Sequence, residues 1–285
     1  MGVEVIVPGT AAGREGLAGV LAAPGEAVVG LDFDGTLAQI VADPDRARAH
    51  PDVVPALSAL APLVGAVVVV TGRPAAVAVE YGGFAGVPGL EHLTVLGHYG
   101  AERWEARTGE VTAPEVHPGV ALVRAELPEV LERAGAPEGT WTEDKGRAVV
   151  VHTRRTSDPD GSLERLRGPL VELAARHGLM VEPGRMVLEL RPPGVDKGAA
   201  LTGFLAERGA RGVVYAGDDL GDLAAYAAVE ERRAEGLPGV LVYSGPVTGE
   251  PPLRELADRA DLVVRGPAGV VEVLGALAER IREGR

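Results

Sequence analysis

The sequence predicts an α/β protein, a parallel sheet with helices on both faces, interrupted by an inserted α+β module. Three observations carry this reading. Short, largely apolar runs recur at residues 27–31, 66–70, 93–96 and 212–216, and apolar runs of strand length bounded by turn residues read as strands buried on both faces. Segments with apolar residues at helical spacing lie around them, the alternation that builds a parallel sheet. Between residues 104 and 190 the texture changes to short alternating strands, hairpin turns and two helices. That stretch reads as an insert, leaving residues 1–103 and 191–285 as the core and 104–190 as a cap.

Composition bounds the rest. The 285 residues suffice for one large domain or a core with an insert. Apolar residues make up 46% of the chain but aromatics only 4%, so the core is built of Ala, Val and Leu. The 40 glycines and 22 prolines are dispersed, with no repeat and no linker-like segment. A net charge of −13 disfavours nucleic acid and anionic membranes as partners. It leaves room for a small anionic substrate, because local cations or a metal can reverse the field within one cleft. The chain has no cysteine, which excludes disulfides, thiolate catalysis and Cys-based zinc sites. No signal-peptide pattern opens it and no apolar run reaches membrane-spanning length, so a cytoplasmic protein is expected. The sequence is compatible with a monomer and does not fix the oligomeric state.

In chain order, an apolar run at residues 3–7 and a helix around 14–23 carry nothing catalytic. The run 27–31 then ends in Asp32-Phe33-Asp34-Gly35-Thr36-Leu37. In open α/β sheets ligands sit beyond the carboxyl ends of the strands, so Asp32 and Asp34 should emerge together at a crevice. Two carboxylates this close repel each other unless a cation intervenes, and hard oxygen ligands suit Mg²⁺. A lone D-x-D-G can equally be an ordinary acidic turn. Asp43-Pro44-Asp45-Arg46 is a turn, and Pro51 opens a helix with Val54, Leu57, Leu60 and Ala61 on one face. The strand 66–70 ends in Thr71-Gly72-Arg73-Pro74, where Pro74 opens the next helix. Thr71 and the backbone N–H groups around Gly72 thus sit at a helix N-terminus, which receives phosphate readily. A plain strand-turn-helix junction with a surface Arg73 is the alternative. After the strand 93–96 comes Gly97-His98-Tyr99-Gly100-Ala101-Glu102, in which His98 is a ligand or a capped loop residue.

Within the insert, residues 104–111 alternate around a Thr108-Gly109 hairpin, and a helix covers 120–134. Strands follow at 141–145 and 148–152, then a helix at 163–177. Strands at 179–182 and 186–190 are joined by Pro183-Gly184-Arg185. Back in the core, Asp196-Lys197-Gly198 opens a helix closed by Gly209. A lysine there opposes the helix dipole, so it either reaches toward an anion or is merely solvated. The run 212–216 ends in Gly217-Asp218-Asp219-Leu220-Gly221-Asp222, and capping of the next helix accounts for only one of these three acids. Strands near 239–243 and 261–264 and a helix over 270–281 close the chain.

Four polar signals therefore lie at strand ends or helix starts: Asp32 with Asp34, Thr71, Lys197, and Asp218 with Asp219 and Asp222. Together they provide the parts for phosphoryl transfer. Asp32 attacks phosphorus, Asp34 protonates the leaving alkoxide and then activates water, and Thr71 and Lys197 hold the phosphoryl oxygens. The Asp32 carboxylate, the Asp34 carbonyl and Asp218 hold Mg²⁺, while Asp219 and Asp222 orient metal waters or Lys197. Gly72 and Arg73 join the substrate-binding candidates.

These motifs, in this order, resemble the haloacid dehalogenase superfamily, which implies a Rossmann-like core with an inserted cap. The stretch 32–37 with Asp43-Pro44-Asp45-Arg46-Ala47 is similar to the opening of trehalose-6-phosphate phosphatases. So are Gly97 to Glu102, Glu143-Asp144-Lys145-Gly146, Val151-His152 with Arg154, Val187-Leu188-Glu189-Leu190-Arg191-Pro192, and Asp196-Lys197-Gly198. The resemblance covers roughly residues 28–229. It implies a Mg²⁺-dependent phosphoric monoester hydrolase of trehalose biosynthesis, with Glu102, Lys145, His152 and Glu189 gripping the sugar. Gly221 and Leu223 stand where that family has Thr and Glu, and Tyr99 is an extra residue in its segment. The alternatives are a phosphatase of another sugar or pseudo-disaccharide phosphate, and a catalytically idle sugar-phosphate sensor.

Overall fold

The computed structural model describes residues 7–41, 43–184, 186–194, 196–247 and 251–284. The run at residues 3–7 lies outside them but for Val7, and so does residue 185 of the second hairpin turn. Along the chain the strands are β1 (Ala27–Leu31), β2 (Ala66–Val70), β3 (Leu93–Gly97), β4 (Glu102–Glu105), β5 (Val111–Thr112), β6 (Trp141–Asp144), β7 (Val149–His152), β8 (Met180–Gly184), β9 (Val187–Arg191), β10 (Gly212–Gly217), β11 (Gly239–Gly245) and β12 (Leu262–Arg265). The helices are α1 (Ala11–Ala22), α2 (Val53–Leu60), α3 (Ala75–Gly82), α4 (Pro118–Arg133), α5 (Pro159–Arg176), α6 (Lys197–Glu207), α7 (Leu223–Ala234), α8 (Arg254–Ala257) and α9 (Gly266–Glu283).

The chain forms two compact units, residues 1–113 with 196–285, and residues 114–195. The first holds an eight-stranded sheet in the order β12-β11-β10-β1-β2-β3-β4-β5. The strands from β12 to β3 pair in parallel, and β4 and β5 add to the edge antiparallel. Alternate strand residues serve opposite faces. Val29, Leu31, Val67, Val69, Val214 and Val242 pack with residues of α1, α2, α3 and α9. Val28, Val68, Val70, Val213, Tyr215 and Leu241 pack with residues of α6, α7 and α8. Each fully buried Val or Leu contributes roughly 1.5–3 kcal/mol, so strands apolar on both faces hold this sheet together with few aromatic residues.

The boundary of the insert differs from the expected one. The hairpin of β4 and β5 belongs to the large sheet, with Val95 opposite Trp104 and Thr94 opposite Glu105. Trp104 is buried in the same cluster as Leu93 and Val95, and that burial holds the hairpin on the β3 edge. The return to the core comes at residue 196 rather than 191. Two helices start earlier than apolar periodicity indicates, because caps set their ends. Thr10 accepts from the Gly13 N–H ahead of α1, and Asp158 accepts from the Gly161 N–H ahead of α5. Pro51 precedes α2 rather than lying within it.

The second unit is an antiparallel sheet in the order β6-β7-β9-β8. Val149, Val151, Leu188 and Leu190 pack against Val120, Val123 and Leu127 of α4 and Leu166, Leu170 and Leu173 of α5. Alternation turns Val150 and Glu189, which pair in register, to the opposite face.

Candidate active site

Every polar cluster singled out in the core falls at the carboxyl end of a parallel strand or at a helix start of the first unit. β1 and β10 are neighbours, and the Asp32 N–H donates to the Ala216 carbonyl at 2.9 Å. The acidic loop after β1 turns at Gly35, whose φ is 79°, in the left-handed region that glycine adopts without strain. Space also requires glycine there, since a Cβ would lie 1.9 Å from Asp218 Oδ2. Ser244, buried at the end of β11, donates from Oγ to the Gly35 carbonyl at 2.7 Å. Three neighbouring strand ends are thereby fixed to one another.

Lys197 is buried, and its Nζ lies 2.7 Å from Asp32 Oδ1, 2.8 Å from Asp222 Oδ1 and 3.9 Å from Asp219 Oδ1. Asp196 caps α6 by accepting from the Ala199 N–H at 2.8 Å, which leaves Lys197 as the first helical residue. Asp222 is fully buried and accepts at both oxygens. Lys197 and the Tyr215 hydroxyl donate to Oδ1 at 2.8 and 2.7 Å, and the N–H groups of Asp218 and Asp219 donate to Oδ2 at 3.0 and 3.2 Å. Asp222 is thus a clamp that aims Lys197 and shapes the loop after β10. Asp219 is half exposed and caps the Leu220–Asp222 turn through the Gly221 N–H at 2.9 Å.

The donor set fits a hard divalent cation. Ligand atoms of Asp32, Asp218 and Asp222 lie within 4.8 Å of one another. Asp222 is saturated by four donors, whereas the buried Asp218 Oδ1 has no hydrogen-bond partner among the described residues. A buried carboxylate oxygen left without a donor is costly, and a bound cation removes that cost. Burial pushes the Asp32 carboxyl well above its ordinary range, with Asp222 and Asp219 adding to the rise and Lys197 opposing it. Asp218 is raised in the same way by burial and then by Asp32. Burial disfavours the Lys197 ammonium, but Asp222, Asp32 and Asp219 outweigh it and hold the lysine above its usual range. The cluster carries more negative charge than one ammonium balances.

At the end of β2, Thr71 is buried, and its Oγ1 accepts from the Arg73 N–H at 3.1 Å. The 98–100 loop is tied to this turn. The Tyr99 N–H donates to the Thr71 carbonyl and the His98 N–H to the Arg73 carbonyl, each at 2.9 Å. His98, Tyr99 and Gly100 have φ of 47°, 58° and 100°, three successive left-handed residues. Gly72 admits the Tyr99 ring, because a Cβ there would lie 2.7 Å from the phenolic oxygen. Arg73, expected on the surface or at the substrate, instead grips the Asp34 carboxylate through two 2.7 Å hydrogen bonds. Glu102, expected among the sugar-gripping residues, lies in the first unit, where its Oε2 accepts from the Ala75 N–H at 2.8 Å. The Arg73 and Ala75 N–H groups at the start of α3 are therefore already engaged, by Thr71 and Glu102.

Of the other three candidates, His152 and Glu189 lie on strands of the second unit's sheet and Lys145 directly follows β6. Lys145 Nζ is 3.2 Å from Glu189 Oε2. His152 is separately engaged, with Nε2 2.9 Å from Glu143 Oε2 and its ring stacked on Trp141 at 3.6 Å. Glu189 is buried on the face opposite the helices. Tyr215 and Ser244 went unnoticed in the sequence. Ser244 had a usable signal, being the polar residue that follows the apolar run of β11, the pattern that marked Asp32 and Thr71.

Comparison with known proteins places the chain among relatives of one family. The chain is 31% identical over 280 residues to a trehalose-phosphate phosphatase of Mycobacterium avium, an alignment covering 95% of this chain and 66% of that protein. The chain thus spans about two thirds of that relative's length. Among solved structures, the C-terminal domain of Candida albicans trehalose-6-phosphate phosphatase superposes with a TM-score of 0.74 at 20% identity, over 97% of this chain and 99% of that one. A haloacid dehalogenase-like hydrolase from Bacteroides thetaiotaomicron superposes with a TM-score of 0.57 at 18% identity, over 87% of this chain and 98% of that one. No helix among the described residues is long and apolar enough to cross a membrane. The family model for trehalose-phosphatase matches residues 30–259, and the chain belongs to that family.

Proposed function

We propose that this chain hydrolyses trehalose 6-phosphate to trehalose and phosphate through a phosphorylated Asp32, as a cytoplasmic, monomeric enzyme. The observation that carries the reading is a buried carboxylate, Asp32, held 2.7 Å from a buried lysine and grouped with Asp218, whose Oδ1 has no hydrogen-bond partner among the described residues. Asp32 has the place and the restraint of a nucleophile, since Lys197 fixes one oxygen and leaves the other to attack phosphorus. The departing sugar oxygen takes a proton from Asp34. Water then attacks the aspartyl-phosphate, Asp34 takes its proton, and Asp32 is released. Thr71, Lys197 and the backbone around Gly72 hold the phosphoryl oxygens. Asp32, the Asp34 carbonyl and Asp218 would hold Mg²⁺. When bound, it offsets the charge of the carboxylates and polarises the phosphoryl group. Asp222 and Asp219 keep the lysine and the loop in place.

The unit of residues 114–195 acts in this reading as the cap that recognises the sugar, with Lys145, His152 and Glu189 offering donors and acceptors to its hydroxyls. The net charge of −13 disfavours nucleic acid and anionic membranes as partners and leaves room for a small sugar phosphate, drawn in by local cations and the metal. Phosphate release from trehalose 6-phosphate, sucrose phosphate, a pseudo-disaccharide phosphate and hexose phosphates, with Mg²⁺ and with EDTA, tests the proposal. Mg²⁺-dependent turnover should be highest on trehalose 6-phosphate. Preference for another sugar phosphate would reassign the substrate, and binding without turnover of any ester would make the chain a sensor.

A further inference from the structure

Arg73 and Asp34 form a bidentate ion pair beside the ends of β1 and β2. Arg73 Nε donates to Asp34 Oδ2 and a terminal nitrogen donates to Oδ1, both at 2.7 Å, a planar fork matched to a carboxylate. The same terminal nitrogen donates to the Pro44 carbonyl at 3.1 Å. The guanidinium lies 5.2 Å from the Tyr81 ring centroid and 5.8 Å from that of Phe33, and Arg48 covers Tyr81 at 3.9 Å. The Arg73 side chain is 13% exposed and that of Asp34 40%. The arginine is therefore the anchor, and the carboxylate is what it holds.

We infer that Arg73 is the positioning residue for proton transfer, fixing the Asp34 carboxylate where the leaving oxygen and then the attacking water meet it. This rests on the reading of Asp34 as the acid and base. Proton transfer requires Asp34 within about 2.6–3.2 Å of the reacting oxygen, and a carboxylate 40% exposed would otherwise turn freely into solvent. The proton balance is closed. As the P–O bond to the sugar breaks, the proton passes from the Asp34 carboxyl to the sugar oxygen. As water adds to phosphorus and the bond to Asp32 breaks, one water proton returns to Asp34. Arg73 takes no part in either bond change and acts only through Asp34.

The test compares Arg73→Ala, Arg73→Lys, Asp34→Asn and the Asp34→Asn/Arg73→Ala double variant on two esters at saturating Mg²⁺, with thermal unfolding to confirm that each is folded. Trehalose 6-phosphate needs a proton on its leaving oxygen, whereas p-nitrophenyl phosphate does not. Arg73→Ala should lower kcat on the sugar phosphate by about tenfold to a hundredfold with KM little changed, within the range of general acid–base effects. The first turnover of the aryl ester should stay close to wild type and appear as a burst of nitrophenol, because only the second step then waits on Asp34. Arg73→Lys keeps the charge without the fork and should behave like Arg73→Ala. In the Asp34→Asn background, loss of Arg73 should add nothing, the mark of two residues acting as one. Equal losses on both esters with a raised KM would make Arg73 a phosphate-binding residue and overturn the inference. Full activity in Arg73→Lys, or an undiminished loss in the double variant, would overturn it too. If the wild type prefers another sugar phosphate, that ester replaces trehalose 6-phosphate, so the substrate proposal fails alone. Wild type inert on every ester would overturn both.

Discussion

At the scale of single residues, Asp218 decides whether the acidic cluster is a metal site. Its Oδ1 is buried with no donor among the described residues, while Asp222 beside it accepts at both oxygens. A cation bound only to the folded state raises stability with its concentration. Mg²⁺ should therefore raise the thermal unfolding midpoint of the wild type, and Asp218→Ala should remove most of that rise. Partial recovery of phosphate release at high Mg²⁺ should accompany it. An unchanged Mg²⁺ response in the variant would move the ligand to Asp219 or Asp222. The residues of the core site were legible because each ends an apolar run or opens a helix, where a polar residue has little structural reason to be. Tyr215 was not, because a tyrosine within an apolar strand reads as core, and only its hydroxyl, 2.7 Å from Asp222, reveals another use. The fork of Arg73 was illegible for a different reason. It closes on a residue 39 positions away, and no local pattern encodes that distance.

At the scale of elements, the opposite, amino-terminal edge of the large sheet offers a contrast in which charge serves stability alone. Asp261 is buried ahead of β12. Its carboxylate accepts from the Leu241 N–H at 2.7 Å and from Arg233 and Thr10, joining β11, α7 and the cap of α1. Asp261→Ala would strand a mostly buried guanidinium and a backbone N–H, a loss on the order of 3 kcal/mol. Thermal unfolding should shift down accordingly, while kcat and the Mg²⁺ requirement measured well below the midpoint stay unchanged. A change in Mg²⁺ requirement would mean that the two edges of the sheet are coupled. Elements with a strong period were legible almost residue by residue, as β2 at residues 66–70 illustrates. The β4–β5 hairpin reads in sequence as part of the insert, yet it pairs onto the large sheet. Its alternation announces a strand pair but not which sheet Trp104 will be buried against.

At the scale of the whole molecule, two units with different architectures suit a division of labour between chemistry and recognition. In the second unit Leu188 and Leu190 pack with α4 and α5, and alternation turns Glu189 away from them. In the proposed reading Glu189, paired with Lys145 at 3.2 Å, meets sugar hydroxyls. Glu189→Ala should lower hydrolysis of trehalose 6-phosphate by about tenfold to a hundredfold or more, as when a substrate hydroxyl loses its buried partner. Hydrolysis of p-nitrophenyl phosphate should change little. An equal fall on both esters would assign Glu189 to the fold or the core chemistry instead.

The central claim is that Asp32 carries the phosphoryl group. It is tested most directly by mixing enzyme with phosphorus-labelled trehalose 6-phosphate and Mg²⁺, quenching in acid within the first turnover, and mapping the label by peptide mass spectrometry. The account predicts transient phosphorylation at Asp32, absent in a folded Asp32→Asn variant that has also lost turnover. Label on another residue, or turnover retained in Asp32→Asn, would contradict it.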